Sequence, residues 1–294
     1  MVSRSKSDLI FDICNFIFIV LFSITAIYPL MYIFSLSMTG GEGASSIQAG
    51  FIPRVFSMEN YKRVLSAGDI WSGYANTLQR TILGTLTQVT AIILTAYPLS
   101  KRYFPHRSKW TAFIVFTMFF SGGLIPNYLL VKGLGLGNSV WAMILPGLIP
   151  TYTMIITRNF FMDIPPSLEE SARVDGADDF RILWQIILPI SKPIIATISL
   201  WQIVAHWNAW FDCLLYITDA GKQVLQVILR RIVLLGTQSS VNMENSTMLN
   251  DFSAINPESV KAATIMVATL PIILVYPFVQ RYFVKGVMVG SLKG

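Results

Sequence analysis

The sequence predicts an all-α polytopic membrane protein, and three observations carry that prediction. Hydrophobic residues fill 53% of the 294 positions and charged residues only 13%, too little polar surface to coat a soluble globule. Mean hydropathy is +0.58. Apolar stretches long enough to cross a bilayer recur along the chain, separated by shorter polar or basic connections.

A spanning helix needs about 20 mostly apolar residues to cross about 30 Å of hydrocarbon. Six windows meet that requirement: 11–37, 75–99, 110–131, 138–160, 188–212 and 260–283. The first is too long for a signal-peptide core and no small-residue cleavage site follows it, so it is expected to remain as a span. Between the second and third windows, Ser100 to Lys109 holds Lys101, Arg102, Arg107 and Lys109, and the amino terminus adds Arg4 and Lys6. Short basic connections stay inside, so this segment and both termini are predicted to be cytoplasmic. Residues 158–188 are then cytoplasmic too, while 39–74 and 213–259 form outer loops and 132–137 an outer turn. Long loops cross largely regardless of charge, which accommodates Arg54, Lys62, Arg63, Arg230 and Arg231.

Prolines fall in or beside most windows: Pro29, Pro98, Pro126, Pro146, Pro150, Pro193, Pro271 and Pro277. Each removes a backbone donor and can kink a helix, giving either ordinary irregularity or a bundle bent around a central pathway. With no solenoid repeat and no low-complexity tract, residues 1–294 read as one membrane domain.

The net charge of +6 is spread over the ends of apolar runs and forms no stripe interleaved with stacking aromatics, so nucleic acid is not an expected partner. Cys14 and Cys213 have no companions at metal-ligand spacing and read as packing residues. Gly133-Leu-Gly-Leu-Gly137 lacks the lysine of a phosphate-cradling loop and falls at an outward turn, so no nucleotide or other cofactor is expected on this chain. His106 and His206 fall in a cytoplasmic connection and an outer-half span, too far apart in the predicted topology to share a metal. An ion-coupled transporter should bury acidic groups at mid-membrane. Here Asp12 and Asp212 lie at span ends where water reaches them.

The polar island at 163–189 carries the functional signal. Asp163-Ile-Pro-Pro166 should end the fourth span and restart the chain. Ser167 followed by Glu170 is a capping-box pattern, and Gly176 suits a left-handed helix end, predicting a short helix over 168–175. On it Ser171 and Ala172 are small enough for another surface to approach, with Glu169 and Asp175 displayed as flanking charges. After Gly176 the pattern restarts at Asp178, and Phe180, Leu183, Trp184 and Ile187 form a helical stripe suited to lying against the bundle.

Glu170-Ser171-Ala172, Gly176, Ile186 and Leu188-Pro189 match in spacing the cytoplasmic signature of the permease subunits of ATP-binding-cassette importers: Glu-Ala-Ala, three residues, Gly, nine residues, Ile-x-Leu-Pro. The one departure is Ser171 for the first alanine, small for small. The chain therefore resembles that family over nearly its whole length, which implies a type I importer permease fold. It further implies that Glu169, Glu170, Ser171, Ala172, Asp175 and Gly176 belong to a coupling helix docked in the cytoplasmic ATPase, with Glu170 paired to a basic residue there. On the bottom-up reading Glu170 caps its own helix, and the two roles are compatible.

Asn60-Tyr61, Asp175-Gly176-Ala177, Trp207-Asn208 and Gly286 to Gly294 resemble the carbohydrate branch, the second membrane subunit of maltose-type systems. Residues 134–141, His206-Trp207-Asn208 and Leu214-Leu-Tyr216 resemble members serving complex oligosaccharides, including uronic-acid polymers such as alginate. The resemblance implies a bacterial inner-membrane protein with a second homologous permease, a dimeric ATPase holding ATP and Mg, an extracytoplasmic solute-binding protein and an oligosaccharide substrate. Surrounding lipid is the remaining partner. In the fifth window Trp201, Trp207 and Trp210 offer flat apolar faces beside Gln202, His206 and Asn208, a combination that suits sugars. The tryptophans equally fit an interfacial aromatic belt, and His206 a satisfied packing residue. Gln202 and His206 share a helix face, with Asn208 turned away. The polar stretch 236–257 is long enough to meet a binding protein or to be a tether; Asn245-Ser-Thr247 in it is a glycosylation sequon by pattern only.

Overall fold

The structure, a computed structural model, describes residues 6–40, 56–238 and 258–274. Among these the backbone is helical apart from its connections and one isolated bridge between Thr39 and Phe56. The chain divides into two compact units, Met1–Gly68 with Leu229–Leu270 and Asp69–Ile228 with Pro271–Gly294.

In the first unit α1 (Lys6–Ser37) is apolar on every side, and its most apolar stretch has mean hydropathy 2.3 with none of it buried. A helix without a polar face is at home in hydrocarbon. Its end is tied to α2 (Glu59–Ser66): the buried Asn60 amide donates to the carbonyls of Ser37 and Thr39, each at 3.1 Å, and the Ser37 and Tyr61 hydroxyls pair at 2.7 Å. Asn60-Tyr61 is thus a structural clasp.

The second unit is built on α3 (Gly68–Ser100), the other helix long and apolar enough to cross a bilayer by itself. Its buried positions Thr77, Thr81, Gly84, Gln88, Ile92, Ala96 and Leu99 recur at three- and four-residue steps, the stripe of a helix packed on one side.

The next three predicted spans are not single helices. α4 (Arg107–Phe119) and α5 (Leu124–Gly133) meet at 111°, because Gly122-Gly123 breaks the ladder with Gly123 at φ 91°. α6 (Val140–Ile144) passes through a tight turn at Leu145–Gly147 into α7 (Thr151–Met162) at 55°, with Pro146 and Pro150 in the break. The polar island folds into an elbow made of α8 (Ser167–Val174), α9 (Asp179–Ile182), a π-helical turn at Leu183–Ile187 and α10 (Leu188–Ile190). α11 (Lys192–Asn208) then leaves at 82°, Pro193 lying in its first turn and not at an interior kink. The expected fifth span accordingly loses residues 188–190 to the elbow, and the helix stops at Asn208 before α12 (Phe211–Tyr216).

By length and composition the described residues hold two spanning helices, or up to five spans if each bent pair counts as one. α13 (Leu225–Gln238) and α14 (258–274) follow. The expectations for Arg4, Arg54, residues 239–257 with their sequon, Pro277, the end of the sixth window and the 286–294 segment lie outside the described residues.

The core of the second unit sits where the carboxyl half of α3, α7, the elbow and α11 converge: Ile92, Ala96, Leu99, Met154, Phe161, Ile182, Leu183, Ile187 and Ile198 are all buried there.

Candidate functional site

The elbow begins on its prolines. Pro166 holds φ −59° and ψ −28°, already helical, and the Glu169 and Glu170 amides both donate to its carbonyl at 3.0 Å. Ser167 is therefore inside the first turn, no side-chain cap forms, and the expected capping box with Glu170 is absent. The reason is local: proline fixes the helical φ one residue before the serine can act. The far end matches its expectation. Gly176 takes φ 81°, its N–H donates to Arg173 O at 3.0 Å, and the Ala177 N–H donates to Ala172 O at 2.9 Å, the paired bonds of a Schellman stop. Asp178 then caps α9, accepting from the Arg181 N–H at 2.7 Å.

Which residues face out differs from the sequence pattern at three points. Glu169 is buried, paired with Lys101, and is not a displayed flank charge. Ala172 packs against the core, leaving Ser171 as the small exposed residue beside Glu170, Arg173, Val174 and Asp175. Phe180 and Trp184 are exposed at 62% and 55%, while Ile182, Leu183 and Ile187 go inside. The π turn at Leu183–Ile187 accommodates an extra residue, so the apolar stripe slides and the two rings are left side by side outside, 6.3 Å apart. Glu170 is exposed, without an ion-pair partner among the described residues.

The elbow is latched to the end of α3. Lys101, 7% exposed, pairs with Glu169 and lies 4.5 Å over the Tyr97 ring. Arg158 Nε donates to the orphan carbonyl of Leu99 at 2.9 Å. On the exposed face of the elbow Arg173 pairs with Asp179 and donates to the Tyr103 oxygen at 2.6 Å, while the Tyr103 hydroxyl donates to Asp179 at 2.8 Å. Burial, and then that hydrogen bond, push the Tyr103 phenol up to about 12.

Further along α3 lies a cavity of about 280 Å³ lined by Arg80, Gln88, Gln202, His206 and Asp212 among polar groups, with Met143, Pro146 and Tyr216 as apolar wall. His206 Nε2 is 3.1 Å from Gln88 Oε1, and Gln88 Nε2 donates to Gly147 O at 2.8 Å. The ring crosses α3 at Gly84, where a Cβ would sit 2.6–2.7 Å from its carbons. Arg80 is 2% exposed; its guanidinium takes both carboxylate oxygens of Asp212, one at 3.0 Å, and donates to Ala209 O at 3.2 Å.

Of the residues singled out from sequence, the cavity gathers Gln202 and His206 but none of the tryptophans. Trp207 is buried against Tyr74, Trp210 packs edge-on to Phe211, and Trp201 lies against the core, and none of the three lines this cavity. Asn208 is exposed and donates to Val204 O, turned away as its spacing required. Sequence reasoning missed Arg80 and Gln88. The signal was present: a cation inside the 75–99 window needs a counter-charge, and Asp212 at the end of the fifth window was available to supply one.

Comparison with known proteins adds the following. Residues 1–289 match the family described as "Binding-protein-dependent transport system inner membrane component". Protein LplC of Bacillus subtilis (strain 168) is 40% identical over 292 residues, 99% of this chain and 97% of that protein. The polygalacturonan/rhamnogalacturonan transport system permease protein YtcP of the same strain is 39% identical over 285 residues, covering 97% and 99%. A chain in the crystal structure of a bacterial ABC transporter involved in the import of the acidic polysaccharide alginate superposes with TM-score 0.86 at 34% identity, covering 96% of this chain and all of that one.

Proposed function

The chain belongs to the family of binding-protein-dependent transport system inner membrane components, and from that premise we propose that it is one membrane subunit of an ATP-driven importer of acidic oligosaccharides. It is a transport subunit, not an enzyme, as its relatives are. The observation that carries the reading is full-length similarity, at 39% and 34% identity, to two proteins whose names state uronic-acid polymers as cargo. Alginate and polygalacturonate share one chemistry, a chain of hydroxylated rings with a carboxylate on each. Oligosaccharides of that class are the proposed substrate, alginate among them.

In this reading six spans place both termini in the cytoplasm, and a second homologous permease completes the pathway. An external solute-binding protein delivers the sugar, and a dimeric cytoplasmic ATPase supplies ATP and Mg. The exposed face of α8, with Glu170, Ser171, Arg173 and Asp175 around it, docks into the ATPase, and Glu170 pairs there with a basic residue. Support comes from the elbow itself, whose charge-bearing face is turned out while Ile182, Leu183 and Ile187 anchor it in the bundle. ATPase closure would tilt the elbow and reorient the permease pair.

The test is ATP-dependent uptake of a labelled uronate oligosaccharide into vesicles holding the assembled complex and its binding protein. Uptake should require ATP and fall at least tenfold with Glu170→Ala, the effect of losing a charge-assisted contact. Uptake that persists without ATP would sink the mechanism.

A further inference from the structure

We propose that Arg80 is a carboxylate-exchange site in the import pathway, Asp212 occupying in the empty permease the place that a uronate carboxylate takes during transport. The inference rests on the acidic-oligosaccharide reading above and deepens it by naming the group that distinguishes charged from neutral cargo.

The geometry supports an exchange over a permanent brace. Arg80 lines the 280 Å³ cavity together with Gln88, Gln202 and His206, side chains that can hydrogen-bond sugar hydroxyls. Its Nε is buried without a partner, so the guanidinium holds a donor that Asp212 and Ala209 leave unused. A planar guanidinium binds any carboxylate in the same two-oxygen fashion, so an incoming carboxylate can replace that of Asp212 on Arg80 and leave the buried cation paired.

The two partners are unequally held. The Arg80 side chain is 2% exposed and fixed in α3, whereas the Asp212 side chain is 29% exposed and follows the break at Ala209, which has extended backbone at ψ 133°. Asp212 also accepts from the Cys213 N–H at 2.8 Å, a bond that would hold its carboxylate once released. A neutral sugar cannot complete this exchange, because separating the pair would leave Arg80 buried without a counter-charge. Selection for acidic rings follows directly.

The experiment compares a galacturonate oligosaccharide with its methyl ester in vesicles holding the assembled transporter, each variant expressed as a ratio to the unmodified complex so that the binding protein's own preference cancels. Arg80→Gln should lower uptake of the acid roughly tenfold more than uptake of the ester. Asp212→Asn, which keeps side-chain size, should lower the half-saturating concentration for the acid severalfold with no matching change for the ester. Equal losses for both substrates, or a half-saturating concentration for the acid that is unchanged or raised in Asp212→Asn, would reduce the pair to a structural brace. If Arg80→Gln does not assemble, the Asp212→Asn arm decides alone. Failure of the unmodified complex to take up any uronate oligosaccharide would sink the functional reading itself, which separates the two failures.

Discussion

Gly84 shows how one missing side chain positions the polar cavity. A Cβ at this point of α3 would overlap the His206 ring, with Cε1 at 2.6 Å and Cδ2 at 2.7 Å, distances that packed atoms do not tolerate. The ring has little freedom to withdraw, being buried and bonded through Nε2 to Gln88. Gly84→Ala is therefore expected to cost about 1–3 kcal/mol in spite of its better helix propensity. Thermal unfolding of the detergent-solubilised complex would show it, and His206→Ala in the same background should recover most of the loss. A Gly84→Ala protein as stable as the parent would mean that α3 and α11 separate freely here. The glycine is visible in the sequence, but its reason is not, because the ring it accommodates lies 122 positions away, from 206 − 84.

At the scale of elements, the elbow is two short helices joined by a turn that only glycine forms without strain. Gly176 at φ 81° places the Ala177 N–H on Ala172 O, and this bond ends α8 where the chain must reverse. Gly176→Ala puts a Cβ in the left-handed region and should cost about 1–2 kcal/mol, concentrated locally. Hydrogen exchange across residues 171–178 would accelerate while α3 stays protected; uniform acceleration throughout would contradict a local hinge. This stop and the restart of the helical pattern at Asp178 were legible from sequence because helix ends are decided within a few residues. The start of α8 and the apolar stripe of α9 were not. Two prolines pre-empted the Ser167 cap, and the π turn broke the 3.6-residue count that assigned Phe180 and Trp184 to the core. Glu169 looked like a surface charge because its partner Lys101 comes from another element. The Arg80–Asp212 pair escaped for the same reason, since periodicity describes a face and not what lies across from it.

Taken over the second unit, α3 joins the two regions where function is proposed. It runs from Arg80, beside the cavity, to Ser100, just before Lys101, roughly 30 Å at 1.5 Å per residue. An α-helix is stiff over that length, so displacement at its elbow end is delivered to the cavity end largely undiminished. What fixes the elbow to the end of α3 is the buried Lys101–Glu169 pair, while Arg158 of α7 holds the Leu99 carbonyl beside it. If that pair is the joint through which ATPase closure reaches the cavity, cutting it should uncouple transport as well as weaken the fold. Glu169→Gln leaves a buried ammonium without its counter-charge and should lower stability by about 3 kcal/mol. The exchanged pair Lys101→Glu with Glu169→Lys restores opposite charges in the same place, and should recover much of both stability and sugar-stimulated ATP hydrolysis. Stability restored without any recovery of stimulated hydrolysis would show that the pair holds the elbow in place but transmits nothing. In that case coupling would have to travel through the Arg173–Asp179–Tyr103 network and the apolar contacts of Ile182, Leu183 and Ile187.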